Sequence, residues 1–397
     1  MLTHLKFKNW RSLRDVEIND LTPITVFIGA NSSGKTNIIE ALRFRQYGAS
    51  RDNRGFLGAI RQWGGVQKIR SLDPSDNTVN IRLTYKPLLN RLPITDNMTL
   101  FLEPDNKFRY HSIMVEGNNL LSSGFHSPIN PQTGRVWPKP QEDKKVTEAY
   151  NNTLQQYTHD YITKRWQILA EGFSPRLALS FEEDIGDLYL LEPDARNLPT
   201  VISTMQNVYF DQYDQLQEDL AWLLTHVKAV DAVENDQETR LAIHERIRAT
   251  QEAPSISAGT ARIVAMLAAY YALDMDTDPF ESPYGPFEFE GMTHAQMPGL
   301  VVIEEPDTAL NPGILKNFVE QLRNYTERED TSRQFILTTH NPSFLNYFQP
   351  EEVRVVSRGE DGYTRVDRVP EHIRDIWLDD HALGEVWMTN SFGGIAR

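Results

Sequence analysis

Short runs of alternating hydrophobic and polar positions open the chain, and a period of two predicts β-strands. Residues 2–8 and 13–18 alternate in this way, and residues 78–85 repeat the pattern. Residues 23–28 form an apolar, largely β-branched run, which indicates a buried strand. The three segments before residue 30, at 2–8, 13–18 and 23–28, together predict an N-terminal sheet.

Helical spacing replaces the alternation in the middle of the chain. Apolar residues recur at helical intervals over about 143–171, and Gly172 and Pro175 end this run. A second helix is predicted over about 212–230, where one apolar stripe contains Leu216, Leu220, Leu223 and Val227.

The last third of the chain alternates helices and strands. The predicted elements are a helix over about 260–273, a strand at 299–303, a helix over about 313–325, a strand at 334–338 and a strand at 353–356. Such a rhythm predicts an α/β fold with a largely parallel sheet.

One loop between a predicted strand and a predicted helix has a specific chemistry. It reads G-x-x-x-x-G-K-T and consists of Gly29, Ala30, Asn31, Ser32, Ser33, Gly34, Lys35 and Thr36. In such a loop the backbone N–H groups surround phosphates, the lysine reaches the β- and γ-phosphates, and the hydroxyl ligates Mg²⁺. The N-terminus of the following helix adds positive partial charge. The loop therefore predicts a nucleoside triphosphate site.

Two carboxylates follow the predicted strand at 299–303. Glu304 and Glu305 stand at its carboxyl end, where parallel sheets bind their ligands. Glu304 can hold Mg²⁺, and Glu305 can orient and deprotonate an attacking water. Strands often end in charged residues, so the two carboxylates alone are a weak signal. Together with the phosphate loop they indicate the second half of the nucleotide site.

Two further segments each have a structural and a functional interpretation. His340 follows the strand at 334–338, a position at which a histidine can be structural or catalytic. Ser257 and Gly259 open the helix at 260–273, where a serine can cap the helix or bind an anion.

Composition restricts the class of protein. The chain has 397 residues, a net charge of −15 and no cysteine. This length allows a large core, and the lack of cysteine excludes disulfides, zinc-thiolate sites and cysteine nucleophiles. The negative charge disfavours a general attraction to nucleic acid or to an anionic membrane. No run is apolar enough for a signal peptide or a membrane span, so we expect a cytoplasmic protein without a membrane partner.

Basic residues nevertheless gather in one stretch. Residues 43–70 hold a single acidic side chain beside the basic residues Arg43, Arg45, Arg51, Arg54, Arg61, Lys68 and Arg70. Such a cluster can bind DNA phosphates or an acidic partner, or it can balance acidic residues nearby in the fold.

Four motifs in this order resemble the ABC-type ATPase heads. Residues 256–260 resemble the signature loop, 303–307 the Walker B motif and 308–311 the D-loop, and His340 resembles the switch histidine. This resemblance implies an ABC-type P-loop fold with a mixed sheet, and it favours a catalytic histidine and an anion-binding serine.

The resemblance narrows to the RecF/OLD-like ATPases, which include ATPase subunits of bacterial anti-phage systems. The similarity is found at residues 9–13, 193–198, 256–262, 303–312, 338–345 and 383–387, and at Gly393 and Gly394. In OLD nucleases such a head is fused to a TOPRIM nuclease domain. No such acidic module follows residue 340, so we expect any nuclease to be a separate protein.

The resemblance implies ATP and Mg²⁺ as ligands. Glu305, His340 and Lys35 would be catalytic, while Thr36 and Glu304 would hold the metal. Nucleotide contacts are implied for the whole loop at 29–36 and also for Arg11, Asn37, Ser257, Gly259 and Asn311.

The same resemblance implies a head-to-tail homodimer that shares two nucleotide sites. Residues 1–85 and 236–397 would form the head, and 86–235 an inserted helical lobe. That lobe is either an arm for a partner or a second dimer contact, or it is a helical layer over the sheet.

We expect an ATPase switch that controls a separate effector in an anti-phage system. The alternative is a RecF/SMC-like head that acts on DNA in repair or chromosome maintenance. The long insertion, and the lack of a glutamine that clearly follows a strand as in a Q-loop, disfavour a transporter subunit. Gln62 and Gln67 are the Q-loop candidates, and Glu304 stands where transporter ATPases carry aspartate.

Overall fold

The computed structural model describes residues 1–48, 59–71, 77–86, 94–102, 108–116, 119–121, 127–128, 162, 165–170, 172–180, 189–247, 250–252, 255–275, 299–328, 333–373 and 382–394. The strands are β1 (Leu2–Trp10), β2 (Leu13–Ile18), β3 (Ile24–Ile28), β4 (Thr78–Tyr85), β5 (Ile94–Leu102), β6 (Phe108–Glu116), β7 (Asn119–Leu121), β8 (Ser127–Pro128), β9 (Trp166–Leu169), β10 (Ala178–Ser180), β11 (Val227–Glu234), β12 (Glu238–Glu245), β13 (Gln251–Glu252), β14 (Gly299–Glu304), β15 (Arg333–Thr339), β16 (Val353–Arg358) and β17 (Thr364–Arg368). The helices are α1 (Lys35–Gly48), α2 (Val66–Ile69), α3 (Leu198–Val208), α4 (Phe210–Leu223), α5 (Ala258–Ala272), α6 (Pro312–Glu327), α7 (Pro342–Leu345) and α8 (Leu383–Met388).

The candidate site lies at the carboxyl ends of the strands of a central sheet. Its strand order is β17-β16-β3-β15-β14-β9, and every pairing is parallel except that of β17 with β16. Strands β3, β14 and β15 are buried along their whole length, because helices cover both faces of a parallel sheet. Their carboxyl ends meet at the same edge, which brings the loops after them together.

The central sheet separates two hydrophobic cores. Along β14, Leu300 and Val302 pack into one core, while Val301 and Ile303 pack into the other. The first core contains α1 and residues of β1, β2, β4 and β5 from the antiparallel sheet β2-β1-β4-β5-β6-β7. The second contains α3, α4, α5, α6 and the small sheet β10-β12-β11.

The predicted α/β fold with its largely parallel sheet is confirmed. The five elements predicted in the last third are present as α5, β14, α6, β15 and β16. Helix α5 is apolar nearly all round, and almost all of its residues are buried because it packs between the sheet and the neighbouring helices.

Two predicted helices are wrong in part. Residues 166–169 of the helix predicted over 143–171 form β9, which pairs with β14 at the sheet edge. Residues 143–161 of that prediction lie outside the described part of the chain. The helix predicted over 212–230 ends at Leu223, and Val227 begins β11. Val227 follows Leu223 by four residues, which is the spacing of one helical turn. The first residue of β11 therefore matched the apolar stripe of the preceding helix and was assigned to it.

Residues 86–235 supply strands to all three sheets in addition to α3 and α4. Buried side chains of these two helices pack against α5 in the second core. The division of the chain at 85 and 235 stays a prediction. Within the ranges given above, no helix combines the length and the apolar composition that a bilayer crossing requires.

Candidate functional site

The phosphate loop joins β3 to α1 and is tightly packed. Ser32 and Gly34 have positive φ angles of 63° and 114°. A Cβ on Gly29 would lie 2.1 Å from the Val356 carbonyl oxygen, and one on Gly34 would lie 2.0 Å from Thr364 Oγ1. The space around the loop therefore requires glycine at both positions, and at Gly34 the positive φ requires it as well.

A cation and a hydroxyl lie buried inside this loop. Lys35 Nζ donates to the carbonyls of Gly29 at 2.7 Å and Ala30 at 2.9 Å. Burial lowers the pKa of Lys35, while Glu305 and Glu304 act in the opposite direction. Ser33 Oγ is buried and has no hydrogen-bond partner among the described residues. A buried donor beside a buried ammonium fits an anionic oxygen, as a phosphate provides.

Two oxygen ligands lie where the phosphate loop meets β14. Thr36 Oγ1 donates to Glu304 Oε1 at 2.5 Å, and Glu304 is 8% exposed. Hydroxyl and carboxylate oxygens fit Mg²⁺, which usually takes its other ligands from water and substrate phosphates. The described ranges contain no cluster of three acidic or histidine side chains that could hold a metal. Thr36 and Glu304 would hold the ion, which would neutralise phosphate charge.

The carboxylate that follows is paired with the predicted switch histidine. Glu305 Oε1 lies 2.9 Å from His340 Nδ1, and their side chains are 31% and 47% exposed. Glu305 has a φ of 50°, and its N–H donates to the Thr338 carbonyl at 3.1 Å. The pair stands at the ends of adjacent strands, accessible to solvent, which is an arrangement able to orient a water molecule.

The predicted signature residues open helix α5. Ser257 Oγ accepts the N–H of Thr260 at 3.1 Å as the helix cap. A Cβ on Gly259 would lie 2.6 Å from the Ala309 carbonyl oxygen, so this glycine permits close contact with the predicted D-loop. Asn311 caps α6 by accepting the N–H of Gly313 at 2.9 Å. The hydrogen bonds of Ser257 and Asn311 are thus local, and both residues are exposed.

Arg11 and Asn37 lie beside the start of α1. Arg11 has a φ of 46° and forms an ion pair with Glu40. Burial, and then the charge of Arg43, lower the pKa of Arg11. Asn37 Nδ2 donates to Ser12 Oγ at 2.6 Å, so the turn between β1 and β2 is fixed to the phosphate-loop helix.

Sequence reasoning missed several residues that hold the site. Arg262 Nη2 donates to the Glu305 carbonyl at 2.7 Å, and the guanidinium lies 3.8 Å from the centre of the Phe173 ring. Thr364 Oγ1 donates to the Ser33 carbonyl at 2.9 Å. Arg262 could have been found from the sequence, because it is an arginine on the otherwise apolar helix α5. Thr364 gave no such signal, because it lies on a strand remote in sequence from the phosphate loop.

Asp307 was also missed as a buried acid in the predicted Walker B run. It accepts a hydrogen bond from Thr339 Oγ1 at 2.9 Å. Burial raises the pKa of Asp307, which opposes the effect of its hydrogen bonds.

The basic cluster is not one continuous surface. Arg43 and Arg45 are buried, and Arg45 Nε donates to Asp96 Oδ2 at 2.7 Å. Arg51 and Arg54 lie outside the described residues, whereas Arg61 and Lys68 are exposed. At least two members of the cluster therefore belong to the packing around α1.

Neither candidate for the Q-loop follows a strand of the central sheet. Gln62 lines a cleft of about 400 Å³ between α1 and β9, and Gln67 lies in the short helix α2. The position of a Q-loop stays unassigned.

The fold and the arrangement of these motifs define an ABC-type P-loop ATPase domain. The chain belongs to the family described as "AAA domain, putative AbiEii toxin, Type IV TA system", which residues 24–346 match.

Shorter matches connect the chain to DNA replication and repair protein RecF. It is 33% identical over 69 residues to RecF of Nitrosococcus oceani, which is 17% of this chain and 18% of that protein. It is 34% identical over 89 residues to RecF of Lactobacillus acidophilus, covering 21% of this chain and 22% of the relative. The chain thus matches less than a quarter of the length of these curated relatives.

Solved structures of SMC heads share the fold. An Smc head bound to the C-winged helix domain of ScpA aligns with a TM-score of 0.56 at 14% identity, covering 94% of this chain and 99% of that one. An Smc head with an extended coiled coil, bound to the C-terminal domain of ScpA derived from Pyrococcus furiosus, aligns with a TM-score of 0.51 at 12% identity, covering 95% and 98%.

Proposed function

We propose that this chain is an ATP-hydrolysing switch in which two copies close on ATP and separate after hydrolysis. The observation that carries the proposal is the pair formed by Glu305 and His340 next to a phosphate loop whose Thr36 contacts Glu304. These groups are the base, the orienting histidine and the oxygen ligands that phosphoryl transfer to water requires.

In the proposed reaction each side chain has one role. Lys35 and the N-terminus of α1 bind the phosphates and stabilise the negative charge that develops on them. Glu305 accepts a proton from the attacking water, whose oxygen bonds to the γ-phosphorus as the bond to the ADP oxygen breaks. His340 holds the Glu305 carboxylate through its 2.9 Å contact. Mg²⁺ would supply charge neutralisation at Thr36 and Glu304.

The proposed dimer is based on the exposure of the predicted signature residues, which leaves them able to contact a second copy. Ser257 is exposed at the start of α5, and its hydrogen bonds stay within its own helix cap. We propose that Ser257 and Gly259 of one copy contact the nucleotide held by the phosphate loop of the other. To shift the pair from 1:99 to 99:1 closed, ATP must favour closure by about 5.5 kcal/mol, which several charge-assisted hydrogen bonds can supply.

We further propose that this switch is the ATPase subunit of a prokaryotic anti-phage defence system and controls a separate effector. The toxin–antitoxin description of the matched family supports a defence role. The RecF matches favour a second candidate, a head that acts on DNA in repair or chromosome maintenance. Hydrolysis stimulated by DNA favours the second candidate, and an effector inhibited or activated by the ATP-bound form favours the first.

The variant Glu305→Gln tests the proposed reaction. Removing the base should slow single-turnover hydrolysis by about 10²- to 10⁴-fold while ATP still binds, so closed dimers accumulate. Radiolabelled ATP under single-turnover conditions measures the rate, and light scattering measures the dimer. Glu320→Gln, on the exposed surface of α6, is the matched control. Hydrolysis by Glu305→Gln at the wild-type rate contradicts the assignment.

A further inference from the structure

A segment near the end of the described chain connects the phosphate loop to the helix that follows His340. This segment, residues 382–394, contains α8 and the turn after it. The carbonyl of Gly394 accepts the N–H of Ala30 at 2.6 Å, so one backbone group of the phosphate loop is bonded to it.

The Gly394 contact depends on the absence of a side chain. Gly394 has a φ of 84°, and a Cβ there would lie 2.8 Å from Val355 Cγ1 and 3.7 Å from Gly29 Cα. Any larger residue would be strained in the backbone and would also collide with β16. Only glycine allows this carbonyl to approach the loop so closely.

The other end of the segment lies against α7. A Cβ on Gly384 would be 1.9 Å from the Pro342 carbonyl oxygen, and the Gly384 N–H donates to Asn346 Oδ1 at 2.7 Å. Pro342 is only two residues after His340. The segment therefore contacts the element that determines where the histidine stands.

A buried tryptophan makes the two ends one unit. The Trp387 indole N–H donates to the Gly393 carbonyl at 2.9 Å, which closes the turn between α8 and Gly394. Trp387 and Leu383 pack in the same core as Phe344 and Leu345 of α7. A displacement at either glycine is therefore passed through packed side chains rather than absorbed by a loose turn.

We propose that segment 382–394 positions the phosphate loop relative to His340, with Gly394 and Gly384 as the two points of contact and Trp387 as the link. The proposal rests on the proposed ATPase function. Gly394, Gly384, Trp387 and Asn346 are positioning residues, because they act through Ala30 and α7 and touch no reacting atom.

The test compares ATP affinity with turnover in variants that each lose one contact. Trp387→Phe keeps an aromatic ring but loses the N–H donor, and Gly394→Ala disturbs the bond to Ala30. Each should raise the Kd of a fluorescent ATP analogue about fivefold, the effect of losing one hydrogen bond. The double variant should have a Kd no higher than that of the more impaired single variant, because both substitutions disturb the hydrogen bond from Ala30 to the Gly394 carbonyl.

Asn346→Ala removes the acceptor of the Gly384 N–H without adding volume. It should lower the single-turnover rate about fivefold, because α7 follows the histidine, and it should raise the Kd less than Trp387→Phe does, because Asn346 reaches the phosphate loop only through Trp387. Neither Trp387→Phe nor Asn346→Ala introduces a larger side chain, so the test does not depend on the folding of a glycine variant.

Gly65→Ala is the matched control for backbone strain. Gly65 has a φ of 91°, and no atom of the described residues, apart from its two chain neighbours, lies within 4 Å of a Cβ built there. It should reduce thermal stability and leave the Kd unchanged. The proposal is overturned if Gly65→Ala weakens ATP binding as much as Gly394→Ala. Wild-type values of both Kd and rate in Trp387→Phe and Asn346→Ala also overturn it. Failure of the proposed function is separate, because wild-type protein would then not hydrolyse ATP.

Discussion

At the scale of single residues, the site keeps polar groups that the fold alone would not favour. Among the described residues, the buried hydroxyl of Ser33 has no hydrogen-bond partner, and Lys35 holds a buried ammonium whose pKa is lowered by burial. Each costs free energy in the folded chain, because water no longer solvates it. Such groups are retained where they bind a ligand, and here both lie in the phosphate loop.

Ser33→Ala should therefore stabilise the protein and weaken ATP binding. Removing an unsatisfied buried hydroxyl should add about 1 kcal/mol to the free energy of unfolding without nucleotide, while the Kd for ATP rises. Urea unfolding and equilibrium binding measure the two effects. Ser203→Ala is the contrasting variant, because Ser203 is also buried but donates to Glu234 Oε1 at 2.6 Å, and its loss should destabilise. A loss of stability in Ser33→Ala would show that the hydroxyl is satisfied in solution.

Arg262 binds the backbone carbonyl of Glu305 from helix α5. Its guanidinium donates to the carbonyls of Phe173 and Glu305 from a buried position on α5. Arg262→Met should fill similar space and leave both carbonyls without this donor. We expect the free energy of unfolding to fall by about 2–4 kcal/mol and hydrolysis to slow more than ATP binding weakens. Urea unfolding and single-turnover kinetics check this, and unaltered kinetics in a destabilised variant would limit Arg262 to a structural role.

At the scale of elements, sequence patterns predicted what short-range periodicity determines. The strands and helices of the last third were predicted correctly because the apolar positions of each follow one dominant period. Strand β9 was not, since Trp166, Ile168 and Leu169 satisfy both a buried strand and the end of a helical stripe. Its partner β14 lies more than a hundred residues later, and only that pairing decides between the two. Sequence order similarly identified Glu304, Glu305 and His340, but not the tertiary contacts of Arg262 or Thr364.

Three helices meet at one carboxylate in the second core. Asp219 of α4 accepts hydrogen bonds from the hydroxyls of Tyr271 on α5 and Tyr325 on α6. Burial raises the pKa of both Tyr271 and Tyr325 above the ordinary range of a tyrosine. This contact ties α5, which begins with the predicted signature residues, to α6, which follows the predicted D-loop.

The tyrosine contact predicts a loss of stability in alkali. Above about pH 10 an unfolded tyrosine releases its proton while the folded one keeps it. The unfolded chain then binds fewer protons, so the free energy of unfolding falls as pH rises. Tyr271→Phe should make this fall shallower between about pH 9 and 11, although it lowers stability at neutral pH. Urea unfolding across this range measures the slope, and an unchanged slope contradicts the prediction.

At the scale of the whole molecule, the proposed sharing of nucleotide sites between two copies predicts complementation between two inactive variants. Lys35→Ala impairs one phosphate loop, and Ser257→Arg blocks the signature face by bulk and charge. Mixed dimers contain one composite site in which neither change is present, so mixing should restore up to a quarter or so of wild-type hydrolysis, as random pairing leaves about half the dimers mixed with one intact site each. Steady-state ATPase assays of the mixture measure this, with each variant alone as control. No recovery at any mixing ratio contradicts a shared site.

The order of strands in the central sheet also constrains how the protein can be made. Strand β3 lies between β15 and β16, which begin at Arg333 and Val353. At about 5–20 residues per second, a ribosome needs roughly 15–60 s to reach those partners after β3 has been synthesised. During that interval the apolar strand that precedes the phosphate loop has neither neighbour. We therefore expect the nascent chain to rely on chaperones until its last third emerges, and the nucleotide site to be among the last parts of the molecule to form.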